Sequence, residues 1–188
     1  MKSDILDILE LNPVIAAVRE VQQVEKAVKS NVGVVFILSG DLLNIKDIVE
    51  TVKRSGKKVF VHIDLIEGLG KDRPAIDFIE KYVKPDGYIT TKASLAKYAK
   101  QQGLFTILRL FIIDSHSLIT GIKNINDNEI DAIEVMPGVA SKIIERLKQH
   151  VNVPVIAGGL IETKDDIIDS LSTGILAVST SREELWNM

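Results

Sequence analysis

Eight short apolar runs, helical periodicity between them, and polar residues gathered at one end of each run predict an α/β fold, a compact single-domain (β/α)8 TIM-type barrel over residues 1–188. The runs are Val14–Val18, Val34–Leu38, Lys58–Ile63, Gly87–Thr91, Phe105–Leu110, Ala132–Val135, Val153–Ala157 and Ile175–Ser179. They recur at roughly 25-residue intervals. Near-continuous apolar strands joined by helix-length connections are parallel strands covered on their outer side. Between them, Ile45, Ile48, Val49 and Val52 repeat at helical spacing, as do Leu95, Tyr98 and Ala99, and Ile143, Ile144 and Leu147. Pro74 suits a helix start, Asp114-Ser115 a helix N-cap, and Lys123–Glu129 an αβ connection.

An open doubly wound sheet is the alternative. The count of eight, the absence of a polar guarded edge strand, and Arg19-Glu20-Val21 in place of a glycine-rich turn after strand one favour closure. The usual barrel has about 250 residues, so this one must be economical.

The chain is 46% apolar with a formal net charge of −3, which disfavours a large nucleic-acid surface without excluding a local patch. It has no cysteine, so disulfides and thiolate chemistry are absent, as suits a reducing interior. No signal peptide or membrane-length apolar run is visible, and a cytoplasmic location is expected. Lys53-Arg54-Ser55-Gly56-Lys57-Lys58 reads as a cationic helix end and a solvated turn.

Side chains just past each strand collect around one mouth of such a barrel. Here they include Arg19, Ser39, His62, Asp64, Lys92, Arg109 and Glu134, followed by Gly158-Gly159 and then Ser179-Thr180-Ser181. The two glycines permit close backbone approach, and the hydroxyl run precedes a short acidic turn. Loops after strands seven and eight commonly grip phosphate in this fold, so Gly158, Gly159, Ser179, Thr180 and Ser181 are the expected phosphate site. Arg19, Lys92 and Arg109 can complete the neutralisation, while His62, Asp64 and Glu134 can take ligand hydroxyls. His62 and Asp64 are also two ligands of a metal site, but no third pairs with them, and His116 and His150 read as helix residues; no metal is expected. The segment Glu67–Pro74, with two spaced glycines, is either a closing lid or an inert turn.

For an enzyme, the available chemistry is Lys92 as an imine-forming amine, or Asp64 and Glu134 as acid and base. The mouth is richer in grips than in reactive pairs. No catalytic residue is assigned, and a sensor is favoured over a phosphosugar aldolase or isomerase on the same scaffold.

The ordered set Pro13–Val18, Val61–Leu69, Arg109–Ser115, Glu134–Gly138, Ile156–Ile161 and Ser179–Ser181 resembles the glycerol-3-phosphate-responsive antiterminator family over nearly the whole chain. Thr90-Thr91-Lys92 stands where Ser-Thr-Lys is expected, and Met136 where leucine is usual. The resemblance implies a non-enzymatic cytoplasmic regulator with glycerol 3-phosphate as effector and no other cofactor. It implies action on leader mRNA to prevent premature termination. The RNA would meet a patch made by homo-oligomerisation or loop ordering, with Lys71, Arg73, Lys142, Arg146 and Lys148 as candidates.

Overall fold

A computed structural model describes residues 2–188. Helix α1 (Lys2–Leu11) leads into β1 (Val14–Val18), α2 (Val24–Lys29), β2 (Val34–Ile37), α3 (Ile45–Arg54), β3 (Lys58–His62), α4 (Arg73–Phe78) and β4 (Gly87–Thr90). The second half continues through α5 (Ala93–Gln101), β5 (Phe105–Phe111), α6 (Ser115–Asn126), β6 (Ala132–Met136), α7 (Ser141–Lys148), β7 (Val155–Gly158), α8 (Lys164–Ser172) and β8 (Ala177–Thr180). The eight strands pair in chain order, all parallel, and β8 closes onto β1. The sheet is therefore a barrel, not an open one.

After β8 comes a 3-10 turn, Glu183–Leu185. Trp186 is buried behind that turn and its indole N–H donates to the Thr180 carbonyl at 2.9 Å, anchoring the chain end.

Two apolar layers follow from strand alternation. Val59, Val61 and Ile63 join the layer between strands and helices, whereas Phe60 points inward with Ile15, Val34, Phe36, Ile89 and Phe105. Phe60 packs edge-on against Phe36 and Phe105 at centroid separations of 5.6 and 5.5 Å. Gly87 makes room for this triplet: a Cβ there would lie 2.5 Å from both the Phe60 ring and the Phe105 carbonyl. Ile5 and Leu9 of α1 belong to the same inner cluster, so that helix plugs the end of the barrel where the strands begin.

Several boundaries differ from expectation. Strand β3 ends at His62, and Ile63–Leu65 is a 3-10 turn, so Asp64 stands on a turn rather than on the strand. Helix α6 runs on to Asn126, through half of the stretch expected to be a connection. His150 lies in the turn after α7, not in a helix. The expected N-cap is present: Asp114 accepts from the Ser117 N–H at 2.7 Å within a capping box. Pro74 sits in the first turn of α4, behind an Asp72 cap.

Candidate functional site

Strand register builds the site. Arg109 on β5 is the direct neighbour of Glu134 on β6, and Gly158 on β7 is the neighbour of Ser179 on β8. Arg109 Nε donates to Glu134 Oε2 at 2.6 Å, and Ser179 Oγ donates to Glu134 Oε1 at 2.5 Å. Glu134 is fully buried, with both oxygens engaged. The glycine between Glu134 and Ser179 is what lets them meet. A Cβ on Gly158 would stand 2.5 Å from Ser179 Oγ and 2.7 Å from Glu134 Oε1.

Above this buried network a cavity of about 560 Å³ opens at the strand ends. Arg19, Arg109 and Arg182 line it, together with Gly159, Leu160 and Ser181. Gly159 and Leu160 both have positive φ, +76° and +59°. For leucine that conformation is sterically costly, and such costs gather where backbone must face a ligand. Arg182 reaches across to Glu162 at 2.9 Å, tying the loop after β8 to the loop after β7.

The sequence-predicted residues fall into three groups. Gly159, Ser179, Thr180, Ser181, Arg19 and Arg109 line the cavity. Within that group Thr180 is otherwise engaged: its hydroxyl donates to the Ile161 carbonyl at 2.8 Å and accepts the Arg182 N–H at 3.1 Å. Its side chain holds the two loops together instead of presenting a hydroxyl to the cavity. Gly158, Glu134, His62 and Asp64 are not among the residues that line it, and Glu134 is fully buried, its oxygens accepting from Arg109 and Ser179. Lys92 stands apart, exposed, with Nζ on the Lys71 carbonyl at 2.9 Å. The residues sequence reasoning missed are Arg182 and Leu160. Arg182 follows the hydroxyl run directly, a signal available in the sequence; the φ of Leu160 is not.

The segment after β3 is tethered as well as hinged. Glu67 donates its N–H to the Gly40 carbonyl at 2.9 Å and accepts from Leu42 at 3.3 Å, while Gly68 has φ +77°. Of the five basic residues considered for RNA, Lys148 donates to the Thr173 and Gly174 carbonyls, and Arg73 stacks on Tyr98 at 5.1 Å. Among the described residues no group of three or more His, Cys, Asp or Glu is placed to hold a metal ion.

Burial pushes the His62 imidazole down to about 3, with the Arg109 charge acting in the same direction. In the unfolded chain the ring titrates near 6.5, so between the two values the unfolded state binds more protons. Stability from this group is complete above about pH 6.5 and is lost as pH falls, at no more than about 1.4 kcal/mol per pH unit. Urea midpoints between pH 7 and 4 should fall more steeply for the wild type than for His62→Gln. Parallel slopes would contradict a buried neutral ring.

A family model for the glycerol-3-phosphate responsive antiterminator matches residues 14–186. The uncharacterized Escherichia coli protein YgcP is 35% identical over 98% of this chain and 96% of its own length. The crystal structure of a glycerol uptake operon antiterminator regulatory protein from Listeria monocytogenes superposes with a TM-score of 0.90 at 35% identity, over 93% of this chain and 95% of that one. A glycerol uptake operon antiterminator-related protein from Thermotoga maritima gives 0.83 at 37% identity, over 93% and 98%. With its closed barrel and the arginine-lined cavity at the strand ends, this chain belongs to the glycerol-3-phosphate responsive antiterminator family.

Proposed function

We propose that this chain is an effector sensor which binds glycerol 3-phosphate at the barrel mouth and, when loaded, acts on leader mRNA as a transcription antiterminator. The observation that carries the effector half is the convergence of Arg19, Arg109 and Arg182 on a cavity whose other wall is the loops after β7 and β8. Two of these arginines already have carboxylate partners, so the site is poised for an anion without stacking uncompensated charge. Gly159, Leu160 and Ser181 would supply the phosphate grip, with Arg19 closing it from β1. The RNA half is supported by family membership. Imine-forming aldolase chemistry has less support, because its amine, Lys92, is exposed and bonded to a backbone carbonyl.

Glycerol 3-phosphate at a hundredfold excess over its Kd should stabilise the fold by about 2.7 kcal/mol, raising the melting temperature by roughly 5–10 °C. Glycerol at the same concentration should shift it far less. Leader-RNA retention, measured at stated salt, should rise with glycerol 3-phosphate present. Equal thermal shifts from the two compounds would overturn the effector assignment, and RNA binding indifferent to the effector would overturn the coupling.

A further inference from the structure

Among the described residues, four buried side-chain atoms have no hydrogen-bonding partner: Ser39 Oγ, His62 Nδ1, Asp64 Oδ1 and Arg109 Nη2. Ser39 and Asp64 lie just past β2 and β3, His62 ends β3, and Arg109 lies two residues before the end of β5. Leaving a buried polar atom unpaired is costly, and elsewhere among the described residues the fold avoids it; such clustering at one mouth is the signature of a ligand site.

The chemistry of the cluster is lopsided. Asp64 Oδ2 accepts three bonds, from Thr90 Oγ1 at 3.0 Å, Thr91 N at 2.7 Å and Thr91 Oγ1 at 3.0 Å. These hold the carboxylate rigidly and leave Oδ1 as a fixed acceptor. His62 Nδ1 lies 3.9 Å from Asp64 Oδ2, too far for a hydrogen bond, so the imidazole stands beside the carboxylate with this nitrogen unpaired. Burial keeps the ring neutral, so it can complement a hydroxyl as donor or acceptor. Arg109, whose side chain lines the anion cavity and whose charge acts on His62, adds an unpaired donor in Nη2. Glu134 accepts from Arg109 Nε and so positions the guanidinium.

We propose that Asp64 and His62 form an alcohol-reading subsite next to the phosphate grip, which makes the sensor select a phosphorylated polyol over the ketone of the same skeleton. This deepens the glycerol 3-phosphate reading and rests on it. A secondary hydroxyl donates to Asp64 Oδ1 and accepts from Arg109; a ketone oxygen has no hydrogen to give and meets the carboxylate lone pairs instead. Dihydroxyacetone phosphate, identical except at the central carbon, is the discriminating probe.

Calorimetric titration of the full chain should show glycerol 3-phosphate binding at least about tenfold tighter than dihydroxyacetone phosphate. In Asp64→Asn, the amide oxygen can keep the three bonds from Thr90 and Thr91, and the amide nitrogen then stands where Oδ1 stood. A donor replaces an acceptor, so the preference should collapse toward unity or reverse. The wild-type ratio is informative even where the variant fails to fold. Equal wild-type affinities overturn the subsite and leave the effector reading standing. A preference unchanged in a folded Asp64→Asn removes Asp64 from the role. Failure of both compounds to bind the wild type overturns the effector reading itself.

Discussion

Replacing Glu134 with leucine should destabilise the protein by about 3–5 kcal/mol, the range for removing one partner of a buried ion pair. Glu134 is the hub of the layer beneath the mouth, accepting from Arg109 on one side and Ser179 on the other. Without it the Arg109 guanidinium, itself 5% exposed, has no counter-charge, and the buried Ser179 hydroxyl has no acceptor. Glu134→Gln should cost much less, because the amide oxygen can still accept from Arg109 while its nitrogen donates to Ser179, whose hydroxyl can reverse its role. Urea unfolding of the three proteins checks the order. A leucine variant within about 1 kcal/mol of wild type would mean that the pair is not buried in solution as it is here.

Removing both charges separates stability from binding. In the double variant Arg109→Met/Glu134→Leu no lone charge remains, and apolar replacements of buried pairs are often neutral or stabilising. Most of the loss in the single leucine variant should therefore be recovered. The anion cavity, however, loses a guanidinium that lines it. Glycerol 3-phosphate affinity should fall by about 2–4 kcal/mol, or thirtyfold to a thousandfold. A stable double variant with wild-type affinity would show that Arg109 serves the barrel and not the effector.

The strand pattern carried most of the fold. Eight β-branched runs matched eight strands because parallel strands covered by helices must be apolar on both faces, which leaves a plain signal. Helix α1 was passed over, although Ile5 and Leu9 share a face, because it precedes the βα repeat and packs across the barrel's base. Gly158 was legible as a place of close approach, but what approaches is the Glu134–Ser179 pair from the neighbouring strands. That distinction needs the register of β6, β7 and β8, which no single segment encodes. Thr180 and Ser181 illustrate the same limit: Thr180, the last residue of β8, turns its hydroxyl to the Ile161 carbonyl, while Ser181 follows the strand on the cavity wall. Lys92 is similar to Arg109 in position but a weaker candidate by sequence, and its bond to Lys71 depends on how the loop after β3 folds back.

The placement of Ser179 also decides which variant tests the grip. An acidic side chain there would sit beside buried Glu134 and disrupt the barrel, whereas Ser181 is only half-buried on the cavity wall. Titration calorimetry of glycerol 3-phosphate into the wild type and into Ser181→Glu is thus the most direct test of a dianion held between the loops after β7 and β8. The added carboxylate should weaken binding by about a hundredfold or more through like-charge repulsion, with the unliganded melting temperature little changed. Undiminished affinity in a folded Ser181→Glu would place the phosphate elsewhere.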